Sequence, residues 1–256
     1  MKIGIHSIIK DCYEPYLLEW FNYHHSLGID YFFIYDNESK VPIQKTIRQL
    51  KFRTSIYVEL FPGNASQNVQ RLSYFKFLTD AKSGILPHCD RVAFLDDDEF
   101  IICKDDNIKS VLLDYLEFSG LALNWRMFGS SGILKRFPTS RMKKFVYYTP
   151  ADYLGNLNIK SIVDPYLVSD VETPHTFFFS QGFCVDIDRK PIKGYYINPP
   201  IYKRMWINHY WTGTLEDWKG KLLRGRSDAD DQTDRDFLAI ERIDRVEGDA
   251  VTKGLN

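Results

Sequence analysis

The sequence has no apolar run of about 20 residues, and its opening, MKIGIHSIIKDC, lacks the apolar core and cleavage site of a secretory signal. Neither a membrane span nor export is expected. The reading is a cytoplasmic chain of bacterial rather than Golgi origin, and peripheral contact with the inner face of a membrane stays compatible with it. Cysteine is scarce: Cys12, Cys89, Cys103 and Cys184 stand far apart with no C-x-x-C pair. That spacing argues against a structural zinc site or a disulfide framework and for reduced core thiols. Net charge is also nearly absent, because 33 basic and 34 acidic side chains leave -1. No global field draws nucleic acid or an anionic bilayer, so an anionic ligand must be met locally. Finally, HSIIKDCYEP contains no glycine. A sugar nucleotidyltransferase would be expected to hold its nucleotide in a glycine-rich basic loop at that point.

What is present is a chain of 256 residues, 44% apolar and 15% aromatic, enough for one large α/β domain. KIGIHSII (2–9) reads as a buried strand, and 13–27 as a helix stopped by Gly28. DYFFIY (30–35) and SIYVEL (55–60) repeat the strand signal around a short helix at 43–50. An amphipathic helix fits 67–81, with Leu72, Phe75, Leu78 and Thr79 on its apolar side. RVAFL (91–95) then runs into Asp96-Asp97-Asp98-Glu99. Alternating strands and helices predict a mostly parallel, Rossmann-like sheet flanked by helices, with its ligand site beyond the carboxyl ends of the strands. From about 119 the pattern changes to short aromatic strands (LALNWRMF, KFVYY, IKSIV, TFFF), followed by helices at 215–223 and 234–246. There is no internal repeat and no clear linker.

Asp96 and Asp98 stand two apart at a strand end, where a turn can swing both carboxylates toward one point. A hard divalent cation, Mn²⁺ or Mg²⁺, suits such a pair together with a diphosphate. It would neutralise charge on a departing nucleotide. A solvated acidic loop is the plain alternative for so short a pattern, but the buried strand before it and Phe100-Ile101-Ile102 behind it pull the run to the sheet edge.

Here the sequence resembles the glycosyltransferases with a GT-A fold, in the group around family 92 and its bacterial family 2-like relatives. The resemblance is carried by Lys10 through Trp20 with His24 and Gly28, by Tyr35-Asp36-Asn37-Glu38-Ser39, and by the D-x-D-E-F block at Asp96, Asp98, Glu99 and Phe100. Asn124 to Gly132, Lys160-Ser161-Ile162-Val163 with Pro165 and His175, and Asn208-His209-Tyr210 with Lys221 and Arg224-Gly225-Arg226 continue it in order. The departure is Asp11-Cys12, where the family has Asn-Glu.

The resemblance implies a GT-A domain with a nucleotide-sugar-binding half (1–118) and an acceptor-side half (119–256) that carries a closing segment. It implies transfer of a hexose such as galactose or glucose from UDP to a saccharide or glycoconjugate, with inversion, in the synthesis of cell-surface polysaccharide. Asp96, Asp98 and His209 are the candidate metal ligands, with His175 competing; a neutral imidazole is a competent Mn²⁺ ligand. Lys10, Asp11, Asp36, Asp97, Lys221, Arg224 and Arg226 are the donor-side candidates, the arginines because their fork suits phosphate oxygens. Asp36 could instead cap its own turn with Asn37 and Ser39. Trp125, Phe128, Gly129, Ser130 and Ser131 could seat a sugar, or the two rings could be core. An acceptor hydroxyl needs a base, for which Glu216, Asp228 and Asp230 are candidates. The competing class is a non-catalytic member that only binds nucleotide or sugar, whose expected mark is loss of the acidic pair or of His209.

Overall fold

The protein's structure, a computed structural model, describes residues 1–105, 107–225, 234–242 and 246–247. In chain order the strands are β1 (Ile3–Ile9), β2 (Tyr31–Asp36), β3 (Ile56–Leu60), β4 (Arg91–Phe94), β5 (Glu99–Cys103), β6 (Gly120–Met127), β7 (Tyr147–Tyr148), β8 (Ile159–Val163), β9 (Val168–Val171), β10 (Phe177–Phe179), β11 (Cys184–Val185), β12 (Met205–His209) and β13 (Val246–Glu247). The helices are α1 (Glu14–Leu27), α2 (Ile43–Ile47), α3 (Val69–Lys82), α4 (Ile108–Leu113), α5 (Arg141–Lys144), α6 (Leu215–Arg224) and α7 (Asp234–Arg242).

Among the described residues a nine-stranded sheet runs β3-β2-β1-β4-β8-β6-β12-β5, with β11 beside β6. The first four strands are parallel. β8 runs against both β4 and β6, β12 is parallel to β6, and β5 closes the edge antiparallel to β12. The sheet is therefore mostly parallel and helix-flanked, as the alternating pattern predicts. Strands β8, β6 and β12, from after residue 118, lie between β4 and β5, from before it, so the two halves share one sheet.

β1 is buried along its whole length because helices cover both faces of the sheet. On one face Trp20 and Phe21 of α1 pack on Phe32. On the other, Tyr74 and Phe77 of α3 pack on Phe94 around the buried His6 ring. The buried side of α3 differs from the one expected. It carries Val69, Gln70, Ser73, Tyr74, Phe77, Leu78 and Ala81, while Leu72 and Thr79 face solvent. The apolar pattern misleads here because two polar residues belong inside: Ser73 meets His6 Nε2 at 3.3 Å, and Gln70 reaches the acidic loop.

Edge strand β5 has one row of backbone groups without a strand partner, a cost unless side chains supply it. α1 does so. Trp20 Nε1 donates to Glu99 O at 2.9 Å, Tyr23 OH donates to Ile101 O at 2.7 Å, and Ile101 N–H donates to His24 Nε2 at 3.3 Å. α1 ends at Gly28, whose φ of 109° suits a residue without Cβ. No helix among the described residues is long and apolar enough to cross a membrane.

Candidate active site

The turn between β4 and β5 sets the acidic run. Leu95 N–H donates to His6 O, Asp96 N–H to Glu99 Oε2 at 2.9 Å, and Glu99 N–H to Asp96 O at 3.1 Å. Arg141 Nη2 holds the Asp97 carbonyl at 2.6 Å, and Tyr210 N–H holds that of Asp98 at 2.9 Å. Arg141 is itself placed by Glu19 of α1, whose carboxylate accepts the Arg141 N–H at 2.7 Å and caps α5. The run is thus fixed through its backbone, and its carboxylates are free to differ in environment.

They do differ. Asp96 accepts from Gln70 Nε2 at 2.8 Å and from Lys160 Nζ at 3.1 Å. Lys160 is 1% exposed. Burial would lower its pKa, but Asp96 and then Glu99 outweigh burial and hold the ammonium well above its ordinary range. Asp98 is buried, with Lys221 Nζ on Oδ2 and His209 Nε2 at 3.3 Å from Oδ1. Burial alone would raise the Asp98 carboxyl; Lys221 and His209 overcome it and hold it well below its ordinary range. Glu99 is fully buried behind them, and burial pushes its carboxyl well up against the opposing pull of Lys160 at 3.7 Å.

Two cavities meet at this loop. The smaller, about 180 Å³, is lined by Asn37, Asn64, Gln70, Trp125, His175 and His209 among others, and the larger, about 700 Å³, by Asp11, Cys12, Tyr13, Lys40, Arg136 and Arg141 among others. Their shared wall is Lys10, Asp97, Asp98, Lys221 and Arg224. Helix α6 forms that wall from above. Thr214 and Asp217 make a capping box at its start, Trp218 anchors it in the interior, and Lys221 and Arg224 cross to Asp98 and to the Lys10 carbonyl.

Several sequence candidates therefore converge: Lys10, Asp11, Asp97, Asp98, Lys221, Arg224, Trp125 and His209 all line the cleft, as does Asp96. Others do not. Asp36 is buried and its carboxylate is spent on the N–H groups of Ser39 (2.9 Å) and Ile43 (3.1 Å), so it caps its own loop and α2. Phe128 is core, packed on Tyr210 at 4.7 Å. Ser130 is buried and gives both its N–H and its hydroxyl to Glu241 of α7, while Ser131 Oγ accepts the N–H of Val146 and Tyr147. Gly129 and Ser131 border a separate small recess against α7. Glu216 is exposed, accepts the Arg136 N–H at 2.9 Å and lines neither cavity. Arg226, Asp228 and Asp230 lie outside the described residues. His175 gives Nδ1 to the Ile159 carbonyl at 2.8 Å and sits across Trp125 from His209.

Among the described residues no three His, Cys, Asp or Glu side chains gather in an arrangement that would hold a metal. Asp98 and His209 do adjoin, and His209 Nδ1 is a buried atom with no partner. A carboxylate and an imidazole are donors that suit a divalent cation, whereas the Asp96 carboxylate accepts from Lys160. Sequence reasoning missed Lys160, Asn37, Gln70, Arg141 and Asn64 as parts of the site. Lys160 and Asn37 stood inside motifs already noted; nothing local marked the other three.

Among solved structures the chain is similar to S. aureus TarS 1–349, with a TM-score of 0.36, 18% identity, and coverage of 65% of this chain and 48% of that one. The same protein in complex with UDP-GlcNAc gives 0.39 and 14% over 65% and 46%. A glycosyltransferase family 92 protein of Ricinus communis is 30% identical over 220 residues, 82% of this chain and 35% of that protein. The chain thus spans about a third of that relative's length. The sequence model of glycosyltransferase family 92 matches residues 11–232, and the chain belongs to that family.

Proposed function

We propose that this chain transfers a hexose from a UDP-sugar to a saccharide or glycoconjugate acceptor, with inversion, and that Mn²⁺ or Mg²⁺ assists. The observation that supports this best is the shared wall, where a buried carboxylate and the cationic side chains of α6 face one another between two cavities, with the His209 imidazole against that carboxylate from the smaller one. Asp98 and His209 would hold the cation, which when bound supplies counter-charge to the departing diphosphate.

The chain's own groups do the rest. Lys221 and Arg224 bring positive charge to the phosphates, and Arg224 retains guanidinium N–H groups beyond the one on Lys10 O. Trp125 lines the small cavity, where an aromatic side chain suits packing against a sugar. α6 over the shared wall limits water at the scissile bond. With Glu216 engaged elsewhere, Asp228 and Asp230 remain the candidates for the base.

The test is calorimetric titration with UDP in Mn²⁺ and in EDTA, for wild type and Asp98→Ala, followed by turnover of UDP-hexoses. Metal-dependent binding that Asp98→Ala abolishes is expected. Binding indifferent to chelation and to the substitution would sink the cation bridge. UDP binding with no turnover of any UDP-hexose would favour a non-catalytic member.

A further inference from the structure

Among the described residues, Glu99 Oε1 and His209 Nδ1 are two of the site's buried polar atoms without a hydrogen-bond partner. They face each other at 3.9 Å. That is beyond hydrogen-bond range, and a shift of about 0.7 Å would let one hydrogen between them satisfy both. The approach follows from the sheet. Glu99 and His209 are direct register partners across the antiparallel β5 and β12 pair, so their side chains emerge on the same face. Glu99 is also locked from its other oxygen, because Oε2 accepts the Asp96 N–H at 2.9 Å. Trp20 pins its carbonyl at 2.9 Å.

We infer that Glu99 is a positioning residue for His209: it takes the Nδ1 side of the imidazole and thereby aims Nε2, with its lone pair, at the space beside Asp98. The inference rests on the reading of His209 as a cation ligand. A ring that gives Nε2 to a cation must keep its proton on Nδ1, and a carboxylate behind that nitrogen fixes tautomer and ring plane together. Lys160 contributes from the far side by holding Asp96 at 3.1 Å, which keeps the turn that presents Glu99.

The test uses protein labelled with ¹⁵N-histidine, in which nitrogen resonances report the tautomer of each of the 6 histidines. His209 is assigned by its loss in His209→Gln. With Mg²⁺ and UDP present, the wild type should show Nδ1 protonated and Nε2 as the lone-pair nitrogen. In the metal-free protein, where no cation fixes the ring, Glu99→Ala should lower the Nδ1-protonated share relative to wild type, and Mg²⁺-dependent UDP affinity should fall by about tenfold or more. If Glu99→Ala does not fold, Glu99→Gln, of equal volume, reads the same resonances. Tautomer populations unchanged in a folded Glu99 variant would overturn the inference. If UDP binding ignores Mg²⁺ while the populations still depend on Glu99, the cation reading fails and the positioning role stands.

Discussion

Lys160 Nζ lies 3.1 Å from Asp96 Oδ2 and 3.7 Å from Glu99 Oε2, which makes one buried ammonium the counter-charge for two of the carboxylates in the acidic run. The lysine comes from β8 and the carboxylates from the turn after β4. The two strands are neighbours in the sheet, so the charge pair stitches the antiparallel insertion onto the parallel block.

Replacing Lys160 with Met removes that counter-charge while filling its volume. Breaking a buried pair from one side costs about 3–5 kcal/mol. Asp96, with 34% of its side chain exposed, can regain water and Glu99 cannot, so about 3 kcal/mol is expected. Urea denaturation of wild type and variant measures it; a midpoint within error of wild type would show that the pair contributes nothing.

Lys221 and a divalent cation compete for Asp98. Lys221→Met leaves the buried carboxylate with His209 alone, so the variant should melt lower than wild type in EDTA, by roughly 1–3 kcal/mol of lost stability. Mn²⁺ should raise the melting temperature of Lys221→Met more than that of wild type. An equal Mn²⁺ response in both proteins would place the cation elsewhere.

His24 is held neutral by its partners: Ile101 N–H occupies Nε2, so Nδ1 carries the proton and donates to Trp20 O at 2.9 Å. Burial pushes its pKa down to about 3, and burial does the same to His6. Both folded values lie below the unfolded value of about 6.5, so the unfolded chain takes up protons first. The stability these rings contribute is complete above about pH 6.5 and declines toward pH 3, by about 1.4 kcal/mol per pH unit for each. Glu99, pushed up by burial, works in the opposite sense, so the quantity to compare is the pH slope of stability in wild type and His24→Gln. The variant should lose about 1.4 kcal/mol per pH unit of that slope between about pH 6 and pH 4. Equal slopes would contradict the neutral, pinned ring.

Glu19→Ala should loosen the acidic loop without touching it. It removes the acceptor for the Arg141 N–H and for the Ser140 hydroxyl, and Arg141 is the group that holds the Asp97 carbonyl. A stability loss of about 1–3 kcal/mol is expected, with a higher KM for the donor. An unchanged KM in a destabilised variant would confine Glu19 to capping α5.

Much of the frame is legible in the sequence, because periodicity, caps and turn residues act locally. The order of strand and helix through residue 95, the stop at Gly28 and the carboxylates placed after β4 all follow from neighbours within a few positions. The motif resemblance adds His209, Lys221 and Arg224, which the fold then brings to one cavity. What the sequence could not decide is which polar group meets which. Asp36 has the same carboxylate whether it caps α2 or faces a ligand, and only the path of the chain from Ser39 to Ile43 spends it on two N–H groups. Ser130 and Ser131 look available until α7 and the segment at 146–147 arrive to claim them. The inner face of α3 hides behind Gln70 and Ser73, which are polar by type and buried by partnership. Glu99 opposite His209 is decided by strand register alone. Hydrophobic period tells each strand which face is buried, but the partner it meets depends on long-range pairing that no local window contains.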